Sequence, residues 1–143
     1  DNNYCTALGY ISVLDKMMSR RGKTMAEEKI LVIGHGIVGK EAVKILKARN
    51  ISFCVYDKDK NALEDADFDL LSSKDEIKNY EYILDFTNEG HWIHDDEISA
   101  SALYASPGVP CSLDGQAKIM LAKNAVYDNL EIGTAVMLAD AVL

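Results

Sequence analysis

The sequence feature that most constrains the fold is a glycine pattern placed directly after an apolar, β-branched run. Residues 29–33 form that run, and Gly34, Gly36 and Gly39 follow it with G-x-G-x-x-G spacing. This order predicts the strand, turn and helix of a dinucleotide-binding unit. Gly34 allows the tight turn, Gly36 leaves bare backbone beside a pyrophosphate, and Gly39 lets the helix pack close to the strand. The helix N–H groups would then face an anion.

The sequence after the glycines supports this interpretation. A second β-prone run, residues 51–56, follows the helix, and Asn50 between them favours a left-handed helix stop. The run ends on Asp57, at the spacing typical of an acid that binds the adenosine ribose. An acid here repels a 2′-phosphate, although the neighbouring lysines would tolerate one, so the pattern favours NAD over NADP. The alternative is an α/β turn that binds no nucleotide. The apolar face of the helix comprises Val38, Ala42, Ile45 and Leu46.

Composition excludes several function classes. A hydrophobic content of 48% and no apolar run near the ~20 residues of a bilayer span argue against a membrane protein. The net charge of −8 argues against a nucleic-acid partner. Cys5, Cys54 and Cys111 form no paired pattern, so we expect neither disulfides nor structural zinc, and a cytoplasmic location. Residues 1–3 do not begin a signal peptide, and the absent initiator Met suggests an excised or processed chain.

The whole pattern predicts an α/β fold, a Rossmann-like, doubly wound, mostly parallel sheet of about six strands in a single domain. Residues 1–22 are predicted as a connecting helix and residues 23–143 as the NAD-binding domain, with an N-terminal substrate domain absent from the chain. The helix has an apolar stripe that must pack on the sheet edge or on a preceding domain: Tyr4, Leu8, Ile11, Leu14 and Met18. Further strands are predicted at 67–71, 82–86, 102–106 and 125–127, and further helices at 61–66, 117–123 and 132–142, with a capping box at 73–76.

Ligand-facing residues are expected where the predicted strands end. The loop after the fourth strand should approach the nicotinamide half of the cofactor through Asp85, Thr87 and Asn88, although Asp85 has an alternative role as a loop cap. Residues 107–110 contain both prolines of the chain and predict a rigid turn, which is either a pocket wall or a plain strand terminator. The predicted cofactor-binding residues are Gly34, His35, Gly36, Ile37, Val38, Gly39, Asp57, Lys58, Asp85, Phe86, Thr87 and Pro107.

The histidines do not predict a metal site. His91 and His94 lie three residues apart, but spacing supplies no third ligand, so we expect partly solvated side chains. His35 lies inside the glycine turn, where a backbone contact to the cofactor is the simpler expectation.

Several segments together resemble the pyrrolysine-biosynthesis dehydrogenase family (PylD). The glycine fingerprint is shared by many dehydrogenases, whereas the asparagine-rich opening helix, the proline turn and the closing segment are more specific. The segments that resemble this family are residues 1–3, 6–10, 31–39, 107–110 and 128–135, with Met137.

This resemblance implies an NAD-dependent enzyme that oxidises the terminal amine of a methylornithine joined to lysine. The aldehyde equivalent formed would close onto the α-amine as the pyrroline ring of pyrrolysine. Family members look like two-domain proteins with a C-terminal nucleotide-binding half, so activity of this half alone is in doubt, and homodimerisation is left open. Asn88, the carbonyls around Gly108, and Asp128 are candidate substrate-positioning groups, and no residue has the features of a general base.

Two alternatives from the sequence are another amino-acid or imino-acid dehydrogenase and a non-catalytic NAD-sensing regulatory domain. A sensor would not need the rigid proline turn and should dimerise strongly.

Overall fold

The computed structural model describes residues 1–127 and contains a six-stranded, all-parallel sheet. The strand order β3-β2-β1-β4-β5-β6 is that of a doubly wound sheet, which confirms the predicted fold class. Asp128 and the helix predicted at 132–142 lie outside the described residues. The strands are β1 (Lys29–Ile33), β2 (Ser52–Tyr56), β3 (Asp69–Leu70), β4 (Tyr82–Asp85), β5 (Leu103–Ala105) and β6 (Ala125–Val126).

The helices begin and end where local caps place them. Asp1 caps the first helix by accepting a hydrogen bond from the Asn3 N–H at 2.6 Å. Asn50 has a φ of 56°, so the predicted left-handed stop is confirmed. The α-helices are α1 (Asn2–Arg20), α2 (Ile37–Ala48) and α3 (Gly115–Met120), and short 3-10 helices span Met25–Glu27, Lys60–Leu63, Lys74–Asn79 and Asp95–Glu97.

One face of the sheet is covered by α1 and α2. The α1 stripe packs on the face formed by β4 and β5, beside α2, rather than on the sheet edge. Ile11, Leu14 and Met18 are buried as expected, whereas Tyr4 stays 44% exposed at the first turn. The helix is therefore part of the core of this domain, and its role as a connection to another domain stays a prediction.

The opposite face is covered by short elements. It carries a second apolar cluster that includes Ile77, Ile93, Leu113, Ala117 and Leu121. Ser73 and Glu76 form the predicted capping box, which opens the Lys74–Asn79 3-10 helix. No helix within residues 1–127 combines the length and apolar character needed to cross a bilayer.

The topology fixes where a ligand can bind. β1 pairs with β2 on one side and with β4 on the other, so the strand order reverses direction beside β1. Ligands of open α/β sheets bind at this switch point, outside the carboxyl ends of the strands.

Candidate functional site

A cleft of about 410 Å³ opens at the carboxyl ends of β1, β2 and β4. We call one side the first wall, which comprises the glycine turn (residues 34–39) and the end of β2 (residues 56–58). The second wall comprises the loop after β4 (residues 86–92) and the proline turn (residues 107–110). The cleft is lined by Ile33, Gly34, Gly36, Tyr56, Asp57, Lys58, Lys74, Phe86, Thr87, Asn88, Glu89 and Trp92.

The three glycines of the first wall meet different surroundings. Gly34 has a φ of 93°, and a Cβ there would lie 2.9 Å from Thr87 Cγ2. A Cβ on Gly39 would lie 1.9 Å from the Gly34 carbonyl oxygen, so α2 can approach the turn only without that atom. A Cβ on Gly36 would meet no atom within 4 Å. Gly34 and Gly39 are thus required by the turn itself, whereas Gly36 faces the open space that a pyrophosphate would need.

The start of α2 suits an anion. Gly36 is the N-cap of this helix, and no side chain caps it. The first-turn N–H groups of a helix lack intrahelical acceptors, so those of Ile37, Val38 and Gly39 can bind phosphate oxygens. Ile37 is 71% exposed, which leaves this end of the helix accessible.

Asp57 is fixed beside the glycine turn by backbone donors. Its carboxylate accepts hydrogen bonds from the His35 N–H and the Asp59 N–H, each at 2.8 Å. The His35 ring turns away, with Nδ1 2.8 Å from the Ala62 carbonyl oxygen and the ring edge against Phe68. His35 therefore presents backbone, not its imidazole, to this part of the cleft.

An ion pair joins the two walls at the cleft. The Lys58 ammonium donates to the Glu89 carboxylate, and this hydrogen bond raises the pKa of Lys58. Lys74, which also lines the cleft, is held 2.8 Å from Glu97. Neither lysine within the lining is thus an uncompensated cation.

Two aromatic rings line the same cleft. Tyr56 at the end of β2 and Trp92 in the second wall have ring centroids 6.1 Å apart. Trp92 is the only tryptophan of the chain. It also helps its neighbour Ile93 to anchor the loop, since Ile93 is buried in the second cluster and Trp92 is partly buried against it.

Asp85 lies beneath the second wall rather than in the cleft lining. Its side chain is fully buried, and its carboxylate accepts hydrogen bonds from the Thr87 N–H at 2.9 Å, the Thr87 hydroxyl at 2.7 Å and the Tyr104 hydroxyl at 2.5 Å. Burial raises the pKa of the Asp85 carboxyl and raises the pKa of Tyr104 well above its usual value. Sequence reasoning missed Tyr104; the available signal was an acid at the end of an otherwise apolar strand.

The proline turn packs against the loop after β4. A Cβ on Gly108 would lie 2.3 Å from the Thr87 carbonyl oxygen, and a Cβ on Gly90 would lie 2.9 Å from Pro110 Cγ. The proline turn therefore supports the loop after β4 from behind. Pro107 and Gly108 do not line the cleft, whereas Asn88 does.

The histidines of the second wall have separate partners. His91 Nδ1 lies 3.4 Å from the Leu113 carbonyl oxygen, and His94 Nδ1 lies 2.6 Å from an Asp114 carboxylate oxygen. In the described part of the chain, no three His, Cys, Asp or Glu side chains are grouped closely enough to hold a metal ion.

Comparison with known proteins identifies two pyrrolysine synthases as relatives. The proteins from Methanosarcina acetivorans and Methanosarcina barkeri are each 26% identical to this chain over 141 residues, 96% of this chain. The chain spans 52% of the length of these curated relatives. No protein-family model matches it.

Solved structures share the fold at low sequence identity. A dipicolinate synthase chain from Bacillus halodurans has a TM-score of 0.64 and 11% identity, with 98% of this chain and 55% of that chain covered. L-tryptophan dehydrogenase from Nostoc punctiforme has a TM-score of 0.62 and 16% identity, with 92% and 43% covered. The chain is thus similar in sequence to the pyrrolysine synthases along nearly its whole length, as its motifs indicated, and it has the fold of Rossmann-type dehydrogenases.

Proposed function

We propose that this chain is the NAD-binding half of a dehydrogenase that oxidises the terminal amine of a methylornithyl-lysine intermediate in pyrrolysine biosynthesis. The observation that carries the cofactor assignment is the first wall, where Gly36 faces open space at the uncapped start of α2. The Asp57 carboxylate lies at the next strand end, where a ribose would follow the pyrophosphate. The sequence similarity to pyrrolysine synthases supports the choice of reaction.

NAD rather than NADP is the proposed cofactor because of the charges around the ribose position. Asp57 is held by two backbone N–H groups and would repel a 2′-phosphate. Lys58 could attract that phosphate, but its ammonium is paired with Glu89. The first wall therefore favours two free ribose hydroxyls.

The bound NAD would accept a hydride from the amine-bearing carbon of the substrate. The amine must be neutral when the hydride leaves, and the developing positive charge on nitrogen needs nearby oxygen acceptors. Asn88, Gly108 and Asp128 remain our proposed positioning groups for that amine. Asn88 lines the cleft and Gly108 lies behind it, while Asp128 is outside the described residues.

The remaining half of the protein is part of the proposal. Because this chain spans about half of its curated relatives, we propose that a separate domain completes the substrate site. A cytoplasmic location fits the free thiols of Cys5, Cys54 and Cys111.

Cofactor binding is tested by titrating the 143-residue chain with NAD and with NADP, with calorimetry and Trp92 fluorescence as readouts. We expect tighter binding of NAD, and a roughly tenfold to hundredfold loss in Asp57→Ala, since a charged hydrogen-bonding partner of the ribose is removed. Asp59→Ala is the matched control because its carboxylate caps only the following 3-10 helix. Equal losses in both variants, or tighter binding of NADP, would contradict the cofactor assignment.

The reaction is tested separately in the full-length protein by NADH formation from the methylornithyl-lysine dipeptide. If the protein binds NAD but does not reduce it with this substrate, the amine oxidation is wrong and another amino-acid dehydrogenase activity takes its place.

A further inference from the structure

Beneath the second wall lies a cluster of buried polar side chains that the cofactor proposal does not use. Asp85, Tyr104 and Ser112 have no exposed surface. A buried carboxylate is costly unless hydrogen bonds satisfy it, and an apolar residue at the end of β4 would avoid that cost. The cluster therefore needs an explanation beyond packing.

The hydrogen bonds of the cluster hold Thr87 through Asp85 and Ser112. Asp85 Oδ1 accepts from both the N–H and the hydroxyl of Thr87, and Oδ2 accepts from the Tyr104 hydroxyl. The Thr87 hydroxyl also lies 2.8 Å from the Ser112 hydroxyl. Tyr104 pairs with Ile83 in the sheet register, so its phenol reaches along one face of the sheet to the carboxylate two residues further on. Thr87 is thus held directly by Asp85 at the end of β4 and by Ser112 after the proline turn, and Tyr104 of β5 holds it indirectly through Asp85.

Thr87, which belongs to the second wall, lies against both the glycine turn and the proline turn. A Cβ added to Gly34 would lie 2.9 Å from Thr87 Cγ2, and a Cβ added to Gly108 would lie 2.3 Å from the Thr87 carbonyl oxygen. Only glycines fit at these two positions without a shift. Any displacement of Thr87 therefore alters its fit against both the glycine turn and the proline turn.

We propose that Asp85 and Tyr104 are positioning residues that hold Thr87 in one conformation and thereby set the spacing between the glycine turn and the proline turn. Asp85 then acts through Thr87 and does not contact the cofactor directly. The inference rests on the proposed function, in which the nicotinamide lies beside Thr87. A small misplacement of reacting groups lowers the rate of hydride transfer much more than it lowers cofactor affinity.

The test compares variants that remove single hydroxyl groups. Tyr104→Phe and Thr87→Val remove two members of the cluster, and Thr87→Ser restores the hydroxyl. The matched control is Tyr82→Phe, because Tyr82 is a buried strand residue at the other end of β4 whose hydroxyl makes no hydrogen bond within residues 1–127. In the full-length protein we expect kcat to fall roughly tenfold or more in Tyr104→Phe and Thr87→Val. The dissociation constant for NAD should change less than about threefold, and Tyr82→Phe should resemble the wild type. Thr87→Ser keeps the hydroxyl but loses Cγ2, so its loss of kcat should be smaller than that of Thr87→Val.

A second readout needs no amine substrate. In the 143-residue chain, energy transfer from Trp92 to bound NADH reports where the dihydronicotinamide lies. We expect Tyr104→Phe and Thr87→Val to change the transfer at saturation, Thr87→Ser to change it less than Thr87→Val, and Tyr82→Phe to leave it unchanged. If Tyr104→Phe does not fold, the pair Thr87→Val and Thr87→Ser gives the same comparison.

The outcomes separate this inference from the proposed function. A wild-type protein that binds NADH but oxidises no amine disproves the reaction, while the energy transfer still decides on positioning. Unchanged transfer and unchanged kcat in Thr87→Val overturn the inference. It is equally overturned if NAD affinity, kcat and unfolding temperature all fall together and Thr87→Ser does not restore them, because the cluster is then only structural.

Discussion

The two walls of the cleft are built in different ways. In the first wall, the turn is shaped by its own glycines, which lie within six residues of one another, and Asp57 joins it through the backbone N–H of His35. In the second wall, side chains from distant segments hold the loop in place: Asp85 accepts a hydrogen bond from Tyr104, 19 residues away, and the Thr87 hydroxyl bonds Ser112, 25 residues away. The glycine turn of the first wall is therefore encoded locally, whereas the loop of the second wall depends on long-range side-chain contacts.

This difference indicates how each wall responds to amino-acid substitutions. A backbone-built wall fails when a side chain occupies space that the turn or ligand needs. A wall built from long-range side-chain contacts fails by degrees, because each contact can be removed while the others remain.

The largest effect is expected from Gly39→Ala in the first wall. The added Cβ would lie 1.9 Å from the Gly34 carbonyl oxygen, so α2 must move away from the turn. We expect a loss of about 1–3 kcal/mol in unfolding free energy. Gly36→Ala is the matched control, because its Cβ meets no protein atom within 4 Å.

Urea unfolding and NAD titration distinguish these two variants. Gly36→Ala should stay within about 1 kcal/mol of the wild type and still lose NAD affinity, since its methyl group occupies the pyrophosphate space. Equal stability of Gly39→Ala and Gly36→Ala would show that the turn is less rigid than its geometry indicates.

The same division explains what the sequence could predict. The roles of Gly34 and Gly39 in shaping the turn followed from spacing over a few residues, because backbone geometry there is local. Strand order also followed, since strands and helices alternate along the chain. Tyr104 and Ser112 were not found, because nothing in their local sequence indicates a partner about twenty residues away.

Element ends were less predictable than element order. The third strand, predicted at 67–71, is only Asp69–Leu70, and α3 begins at Gly115 rather than at 117. Apolar pattern marks which residues are buried, but backbone pairing and caps decide the ends: Asp114 accepts from the Ala117 N–H at 2.9 Å and so starts α3 earlier.

A smaller effect is expected from Gly108→Ala, which adds a methyl group to the proline turn in the second wall. Its Cβ would lie 2.3 Å from the Thr87 carbonyl oxygen, but the following residues Val109 and Pro110 are exposed, so the turn can shift outward. We expect a loss of about 1–2 kcal/mol in urea unfolding, with NAD affinity nearly retained. Gly115→Ala is the control, because a Cβ there meets nothing within 4 Å. If Gly108→Ala lost more NAD affinity than Gly36→Ala, NAD binding would depend on the second wall more than on the first, contrary to the proposal.

A smaller change should follow from breaking the ion pair that joins the walls. Glu89→Gln releases the exposed Lys58 ammonium, which could then attract a 2′-phosphate. We expect NADP affinity relative to NAD to rise by less than roughly tenfold, more at low salt, with no measurable change in stability. Glu41→Gln removes the pair between the half-buried Glu41 and the exposed Lys44 on α2 and is the control. A cofactor preference that is identical in both variants would show that Lys58 does not face the ribose.

The smallest effect concerns the edge of the second wall, where His94 bonds Asp114. The hydrogen bond to Asp114 raises the pKa of His94, so the folded state favours the charged imidazolium. Stability from this pair is fully present below the unfolded pKa of His94 and is lost as pH rises through the higher folded value. Thermal unfolding of His94→Gln should therefore begin at lower temperature than the wild type at about pH 5.5 and converge with it by about pH 9.

The double variant His94→Gln with Asp114→Asn isolates that pH dependence. Asp114 also caps α3, so Asp114→Asn alone changes stability at every pH above the pKa of the Asp114 carboxyl. Hydrogen bonds from the Ala117 N–H and from His94 both lower that pKa. Adding His94→Gln to Asp114→Asn should then produce a smaller pH-dependent change, because the main partner that raises the pKa of His94 is gone and only Glu97 still raises it. A His94→Gln effect that persists at about pH 9, or that is undiminished in the Asp114→Asn background, would mean that packing of the imidazole rather than its bond to Asp114 supports this edge of the wall.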